Sequence, residues 1–361
     1  MLTLLVGRFA AACGMSRPAN QNAATLRVPY EELESTLDRA FVKIGFDPVR
    51  AKLCARLFAE TTRDGVYSHG LNRFPRFLAT IENGLVDIHA RPERVAACCA
   101  LERWDGKQGP GNLNAHDSMA RAIALARESG VGCIALANTN HWMRGGTYGW
   151  QAADAGFIGV CWTNTLANVP PWGASDPRLG NNPLVIAVPR PGGHVVLDMA
   201  ISQFSYGALA SYRARGESLP VDGGYDSEGR LSRDPAAIEA SSRGLPIGYW
   251  KGSGLSLLLD MIATLLSGGL STVQIPRDSL KEGRVSQVFL AFNLAALDPG
   301  DFPARMADEI VRFVQLPPGS SGERVRTPGA KTLALRAENL RLGVPVDSAI
   351  WRDIQALSRV S

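Results

Sequence analysis

The chain has 361 residues, with 38 Lys+Arg against 34 Asp+Glu, a formal charge of +4, and a composition 45% hydrophobic and 20% charged. That length and apolar content predict one large or two interleaved domains around an ample core, and they exclude a disordered, fibrous or coiled-coil chain. The charges are scattered rather than gathered into runs, which argues against nucleic-acid binding, and no apolar run approaches the roughly 18 residues that span a bilayer.

The first fourteen residues, MLTLLVGRFAAACG, have a faint signal-peptide look, but Arg8 interrupts the apolar stretch and no basic segment precedes it. Residues 1–25 therefore read as an extension or as a start placed too early, with one catalytic region over 26–361. The six cysteines (13, 54, 98, 99, 133 and 161) form no CxxC pair, and most lie in apolar stretches, which suits reduced thiols in a cytoplasmic protein.

Two amphipathic helices are expected over 30–44 and 48–63, separated by Gly45-Phe46-Asp47 with Asp47 as an N-cap. A third is predicted over 70–82, ending at Asn83-Gly84, which would set His69 and Arg73 at i and i+4 on one helical face. A helix over 117–128 leads through Gly130 to a strand at 133–137. The loop NTNHWMRGGTYGWQAADAG, carrying His141 and Arg144, precedes a second strand at 158–163, and further strands are expected at 184–188 and 195–199. Residues 220–244 read as flexible, and WKGSGLSLLLDMIATLLSGG as a buried helix. A strand at 287–292, a helix at 302–314, a linker at 317–322 and two helices from Lys331 and Asp347 complete the chain.

Several chemistries fail on motif. The G-x-G-x-x-G fingerprint of dinucleotide folds is absent, KQGPGN at 107–112 follows no convincing strand, and there is no Walker A sequence. The histidines at 69, 89, 116, 141 and 194 form no HxH or HxxxH unit for a metal, and no G-x-S-x-G elbow occurs. What remains is a histidine beside an arginine among glycine-rich loops, which suits proton transfer to a carbonyl oxygen while a guanidinium holds a carboxylate. A lone histidine is more often structural, and the residues by themselves leave that alternative open.

The segments SHGLNRFPRF, NHWMRGGTYGWQAA, WTNT, PPWG, GNNPL and WKGSGL, in this order and spacing, strongly resemble the type-2 malate/L-lactate dehydrogenase family, from about Leu26 to the C-terminus. VYSHGLNRFPRF, NHWMRGG, FSYG and PVDGGYD resemble the branch that reduces a diketo sugar acid more than the malate, sulfolactate or ureidoglycolate branches. The resemblance implies an α/β, α+β-like, non-Rossmann nicotinamide-binding fold with a large, mostly antiparallel sheet flanked by helices. It implies an NAD(P)H-dependent reductase without a metal, acting as a homodimer whose cofactor lies close to the partner subunit. His69 then corresponds to the proton donor and Arg73 to the clamp on the substrate carboxylate, with His141 as a substrate contact or a loop histidine bonded to backbone. Cofactor contacts carry over to His194, Val195, Val196, Leu197, Asp198, Met199 and Ala200, to Trp250 and Lys251, and to Gly329, Ala330 and Lys331. Plainer roles stand beside these: Asp198 as a helix cap, Trp250 as core, Lys331 as a surface charge. The turn over 190–193 is one residue longer than the family pattern, and Lys331 replaces an acid, which leaves NAD against NADP open. The alternatives are another 2-oxo acid or cyclic imine carboxylate of the same family, or a ligand-binding protein without turnover.

Overall fold

The computed structural model describes residues 25–278, 280–315 and 325–359. Strand β1 (Thr25–Val28) leads into α1 (Tyr30–Ile44) and α2 (Pro48–Arg63). In α1 the apolar residues Leu33, Leu37, Ala40 and Phe41 recur at helical spacing and are all buried. Asp47 caps α2 as its spacing predicts, its carboxylate accepting from the amides of Val49 and Arg50 at 3.1 and 3.3 Å.

The helix predicted from Gly70 is not regular. Two single 3-10 turns, Tyr67–His69 and Leu71–Arg73, come first, and the α-helix α3 (Phe74–Glu82) starts only afterwards. The break has a local cause: the Leu71 amide is taken by the Thr62 hydroxyl at 2.9 Å, so it is not given to an i−4 carbonyl. His69 and Arg73 are therefore neighbours across two tight turns, not partners on one helical face.

Strands β2 (Glu93–Cys98) and β3 (Leu101–Asp105) form a hairpin, followed by α4 (Gly111–Ser129), β4 (Val131–Thr139), α5 (Gly146–Asp154), β5 (Phe157–Thr163), β6 (Leu184–Val188) and β7 (Val195–Met199). KQGPGN thus does follow a strand, and β3, α4 and β4 make a parallel crossover unit, contrary to the sequence reading. At the start of this helix a side chain on Gly111 would collide with the carbonyls of Asn140 and His141, so only glycine allows the close approach of backbone there.

Residues 220–244, expected to be flexible, fold into a small ordered unit. After α6 (Tyr206–Ala214) come the two-residue strands β8 (Gly224–Tyr225) and β9 (Leu231–Ser232) and then α7 (Pro235–Ser241), packed around Leu209, Leu219 and Ile238. Helix α8 (Trp250–Ser267), strand β10 (Val285–Asn293), α9 (Leu294–Leu297), α10 (Phe302–Val314), α11 (Ala330–Leu342), β11 (Val344–Asp347) and α12 (Ser348–Arg359) follow. The linker expected at 317–322 lies outside the described residues.

The main sheet has seven strands in the order β2-β3-β4-β10-β5-β6-β7, with β3 and β4 parallel and the other neighbours antiparallel. Helices α4 and α5 cover one face through Met119, Ala122, Ile134, Tyr148 and Phe289. Helix α8 covers the other through Leu259 and Ala263 against Trp162, Leu184 and Val288. Central β10 is apolar on both faces from Val288 to Ala291, where both are covered. Helix α8, expected to be buried, is so on this side only. Its other side exposes Leu257, Leu258, Met261, Ile262 and Leu265, the last at 70%. A second core joins α1, α2 and α3 to α12, and β1 pairs with β11, so the end of the described chain closes on its beginning.

Candidate active site

The His69 turn is pinned from behind. Thr62, near the end of α2, holds Leu71, and a side chain on Gly70 would strike the Thr62 hydroxyl. His69 projects from this fixed point with Nδ1 2.9 Å from Ser68 Oγ, which leaves Nε2 for a ligand. The imidazole of His141 stacks on it, with ring centroids 5.8 Å apart and planes 23° apart. The His141 loop is itself anchored, because the Asn140 amide donates to the carbonyls of Leu85, Gln108 and Gly109. His141 Nδ1 accepts the Met143 amide at 3.1 Å, which fixes the neutral tautomer and makes Nε2–H a donor.

Arg73 and His141 line one cleft with Arg76, Asn140, Met143 and Glu282. Among the described residues the Arg73 guanidinium has no hydrogen-bond partner, whereas Arg76 pairs with Glu282 at 3.8 Å. Burial and the Arg76 charge press the Arg73 pKa down. A guanidinium keeps its proton under that pressure, so the discomfort is relieved by an incoming anion. His69 is pushed down to about 4 by burial and by the cations Arg73, Arg144 and Arg76, and burial with Arg73 depresses His141 too. The cleft is electropositive, and burial with the nearby cations favours the neutral form of both histidines.

Beside it lies a charge cluster that motif reasoning missed. Asp64, 3% exposed, accepts Arg144 Nη1 at 2.7 Å, Arg336 Nε and Nη2 at 2.8 and 2.7 Å, and Arg63 Nε at 2.9 Å. Burial would raise its carboxyl, but the three guanidiniums hold it down at about 2. The sequence signal was faint: an acid five residues before His69 and an arginine three after His141 look like ordinary surface charges.

The candidate cofactor segments fall into two groups. The first comprises β7 and the start of α11. The Val196 amide donates to Pro328 O at 3.2 Å, and Gly329, at φ +90°, lies so close to β7 that a Cβ would sit 3.2 Å from Val196 N and 3.3 Å from His194 O. Since Val196 bonds outward from the sheet edge, alternation points the backbone of Asp198 to the same open edge. The Asp198 carboxylate accepts the Gly146 amide at 2.8 Å and caps α5, an earlier helix than the one expected. His194 spends both ring nitrogens within the chain, Nδ1 on the Arg190 amide and Nε2 on Asp154. Val195, Leu197, Met199 and Ala200 share this strand or its end, and Ala330 and Lys331 open α11.

The second group, Trp250 and Lys251, opens α8 on the opposite sheet face, joined to the chain beyond β7 by Ile247 N donating to Ile201 O at 2.9 Å. Trp250 is exposed, not core. Among the described residues no hydrogen bond or ring contact links it or Lys251 to β7 or to Gly329. The same residues contain no cluster of three or more His, Cys, Asp or Glu able to hold a metal.

A profile described as malate/L-lactate dehydrogenase matches residues 28–355. The chain belongs to that family. It is an oxidoreductase, and relatives with known names narrow the branch. Over 333 residues, covering 92% of this chain and all of the relative, it is 47% identical to a 2,3-diketo-L-gulonate reductase of Shigella boydii and 46% identical to one of Escherichia coli K12. Among solved structures, malate dehydrogenase from Pyrococcus horikoshii superposes with a TM-score of 0.83 at 26% identity, over 93% of this chain and 97% of that one. Δ1-piperideine-2-carboxylate reductase from Pseudomonas syringae gives 0.82 at 28% identity, over 92% of this chain and 100% of that one.

Proposed function

We propose that the chain reduces 2,3-diketo-L-gulonate to 3-dehydro-L-gulonate with a reduced nicotinamide cofactor, His69 being the proton donor. The observation that carries the chemistry is the cleft lined by an unpartnered Arg73 guanidinium and by His141, on whose ring His69 stacks. The choice of substrate rests on the 46–47% identity to named reductases over 92% of the chain.

The residues fit a nicotinamide dinucleotide held outside a Rossmann fold. The free backbone edge at Asp198, the amides opening α11 and the Lys331 and Lys251 ammoniums would receive its ribose and phosphate groups. When bound, that cofactor supplies the hydride for the C2 carbonyl carbon. Arg73 takes the C1 carboxylate by paired hydrogen bonds, and His141 Nε2–H donates to an oxygen of the substrate. Binding the carboxylate offsets one of the cations that depress His69, so its affinity for a proton rises as the substrate arrives. Its Nε2 then delivers that proton to the C2 oxygen, while Nδ1–H stays on Ser68 Oγ.

A homodimer and a cytoplasmic location complete the reading. The apolar outer side of α8 supports the first, and the free state of the five cysteines among the described residues suits a reducing compartment. No helix among the described residues is long and apolar enough to cross a membrane. Residues 26–361 act in this reading as one catalytic region.

The test is oxidation of NADH and of NADPH by the purified protein with 2,3-diketo-L-gulonate, pyruvate, oxaloacetate and Δ1-piperideine-2-carboxylate. Turnover chiefly with the first is expected. Turnover chiefly with the cyclic imine would move the chain to the branch of the Pseudomonas syringae relative.

A further inference from the structure

Three segments of the proposed site, the His69 turn, the His141 loop and helix α11, converge on one buried carboxylate that touches neither substrate nor cofactor in that reading. Asp64 closes α2, five residues before His69. Arg144, three residues after His141, gives it Nη1, is 5% exposed, and has a buried Nε without a partner. Arg336, on the helix that Gly329 opens, gives it two parallel hydrogen bonds and stacks on Trp150 at 4.6 Å. Beyond Arg144 lies Asp198, whose carboxylate borders the same Gly146 position as Arg144 Nε. Charges alternate along the line Arg336, Asp64, Arg144, Asp198, and it runs from the α11 helix to the β7 strand through the base of the proton-donor turn.

We propose that Asp64 is a positioning residue that clasps the His69 turn, the His141 loop and the α11 helix into one register, thereby setting the approach of proton donor to reduced cofactor. The inference rests on the functional reading above. Two irregular 3-10 turns have few hydrogen bonds to hold a side chain still, so the register must come from tertiary contacts. Thr62 fixes the turn at Leu71, and Asp64, at its base, ties it to the His141 loop and to α11 with four charge-assisted hydrogen bonds made in a site shielded from water. A longer or neutral side chain cannot meet all three guanidiniums at these distances.

The experiment compares Asp64→Asn, Asp64→Glu and Arg336→Gln with the wild-type protein. Active sites are counted by cofactor binding and the folded fraction by circular dichroism. A displaced donor lowers kcat per active site on the order of a hundredfold in Asp64→Asn, with a smaller change in KM. Asp64→Glu restores thermal stability but little of the rate. Arg336→Gln cuts only the α11 arm, so it weakens cofactor affinity and leaves amide exchange in the His141 loop as in the wild type. Wild-type kcat per site in Asp64→Asn, with only the melting temperature lowered, would reduce Asp64 to a structural ion pair and overturn the proposal. Hydrogen exchange on the free protein separates this inference from the functional one. Amides of residues 66–73 and 140–146 exchange faster together in Asp64→Asn if the clasp exists, whatever the substrate. Unchanged exchange in both segments overturns it even if diketogulonate is reduced. Should Asp64→Asn not fold, Arg336→Gln decides, and unaltered cofactor affinity there counts against the clasp.

Discussion

At the scale of single residues, the decisive tension is between His69 as a donor and its depressed pKa of about 4 in the free protein. At neutral pH only about one free molecule in a thousand would hold the proton, since each pH unit above the pKa costs a factor of ten. Because kcat/KM reports the free enzyme, it should fall tenfold per pH unit through the neutral range for reduction. In the complex the substrate carboxylate offsets Arg73, so the limb in kcat should lie at least about one unit higher, each unit being worth about 1.4 kcal/mol. For oxidation the neutral form is the active one, and kcat/KM should be level above roughly pH 5. Profiles of both directions check this, and coincident limbs in kcat and kcat/KM would remove the carboxylate from the account. Arg73→Lys, which cannot form the two parallel hydrogen bonds, should raise KM about tenfold or more with a smaller change in kcat. His69→Asn should lower kcat by roughly two to four orders of magnitude while cofactor affinity stays within twofold.

At the scale of elements, what the sequence makes legible depends on whether an element is specified locally. Helices α1 and α2 fall where periodicity puts them, because their apolar spacing and the Asp47 cap act within each helix. The regular helix expected through the SHG segment fails, because Thr62, outside that segment, takes the Leu71 amide. Strands β1 and β11 went unseen for a similar reason: each is four residues long and exists through pairing with the other end of the described chain. His69, Arg73 and His141 were legible as motif residues. Asp64 was not, since its role appears only when the folding of α11 brings Arg336 to it. The same distinction separates two substitutions. Asp47→Ala loses a local cap and should cost about 1 kcal/mol of stability with kcat unchanged, measured by chemical denaturation and steady-state assay. Gly329→Ala forces a Cβ against the backbone of β7 at a φ of +90°, a strain of about 1–2 kcal/mol that falls on the junction of β7 and α11. Cofactor affinity, read by nucleotide fluorescence, should then drop about tenfold or more. Wild-type affinity would detach this junction from the cofactor.

At the scale of the whole molecule, the outer side of α8 is what a single chain leaves unfinished. Leu257, Leu258, Met261, Ile262 and Leu265 stand in solvent on a helix whose inner side is core. Complete burial of such a side chain gains about 1.5–3 kcal/mol, and these are already partly covered, so about 1 kcal/mol each is a fair allowance. Five per subunit then give about 10 kcal/mol for a symmetric pair, within the roughly 4–15 kcal/mol that association costs. The α8 face alone would thus about balance the cost of association, so a dimer built on it would draw on further surface. Edge strand β2, exposed on every residue, and the Phe302, Ile310 and Phe313 side chains of α10 are available. Placing a carboxylate in the apolar patch, as Leu258→Asp with Leu265→Asp, should give monomers in sedimentation. The consequence extends to the site, because Trp250 and Lys251 open the same helix yet make no hydrogen bond or ring contact with another candidate cofactor segment of their own chain among the described residues. If α8 completes the cofactor site across the dimer, the monomeric variant should also lose cofactor affinity, by about as much as Lys251→Ala does in the dimer. Monomers that bind the cofactor as tightly as the wild type would confine the site to one subunit and leave Trp250 and Lys251 outside it.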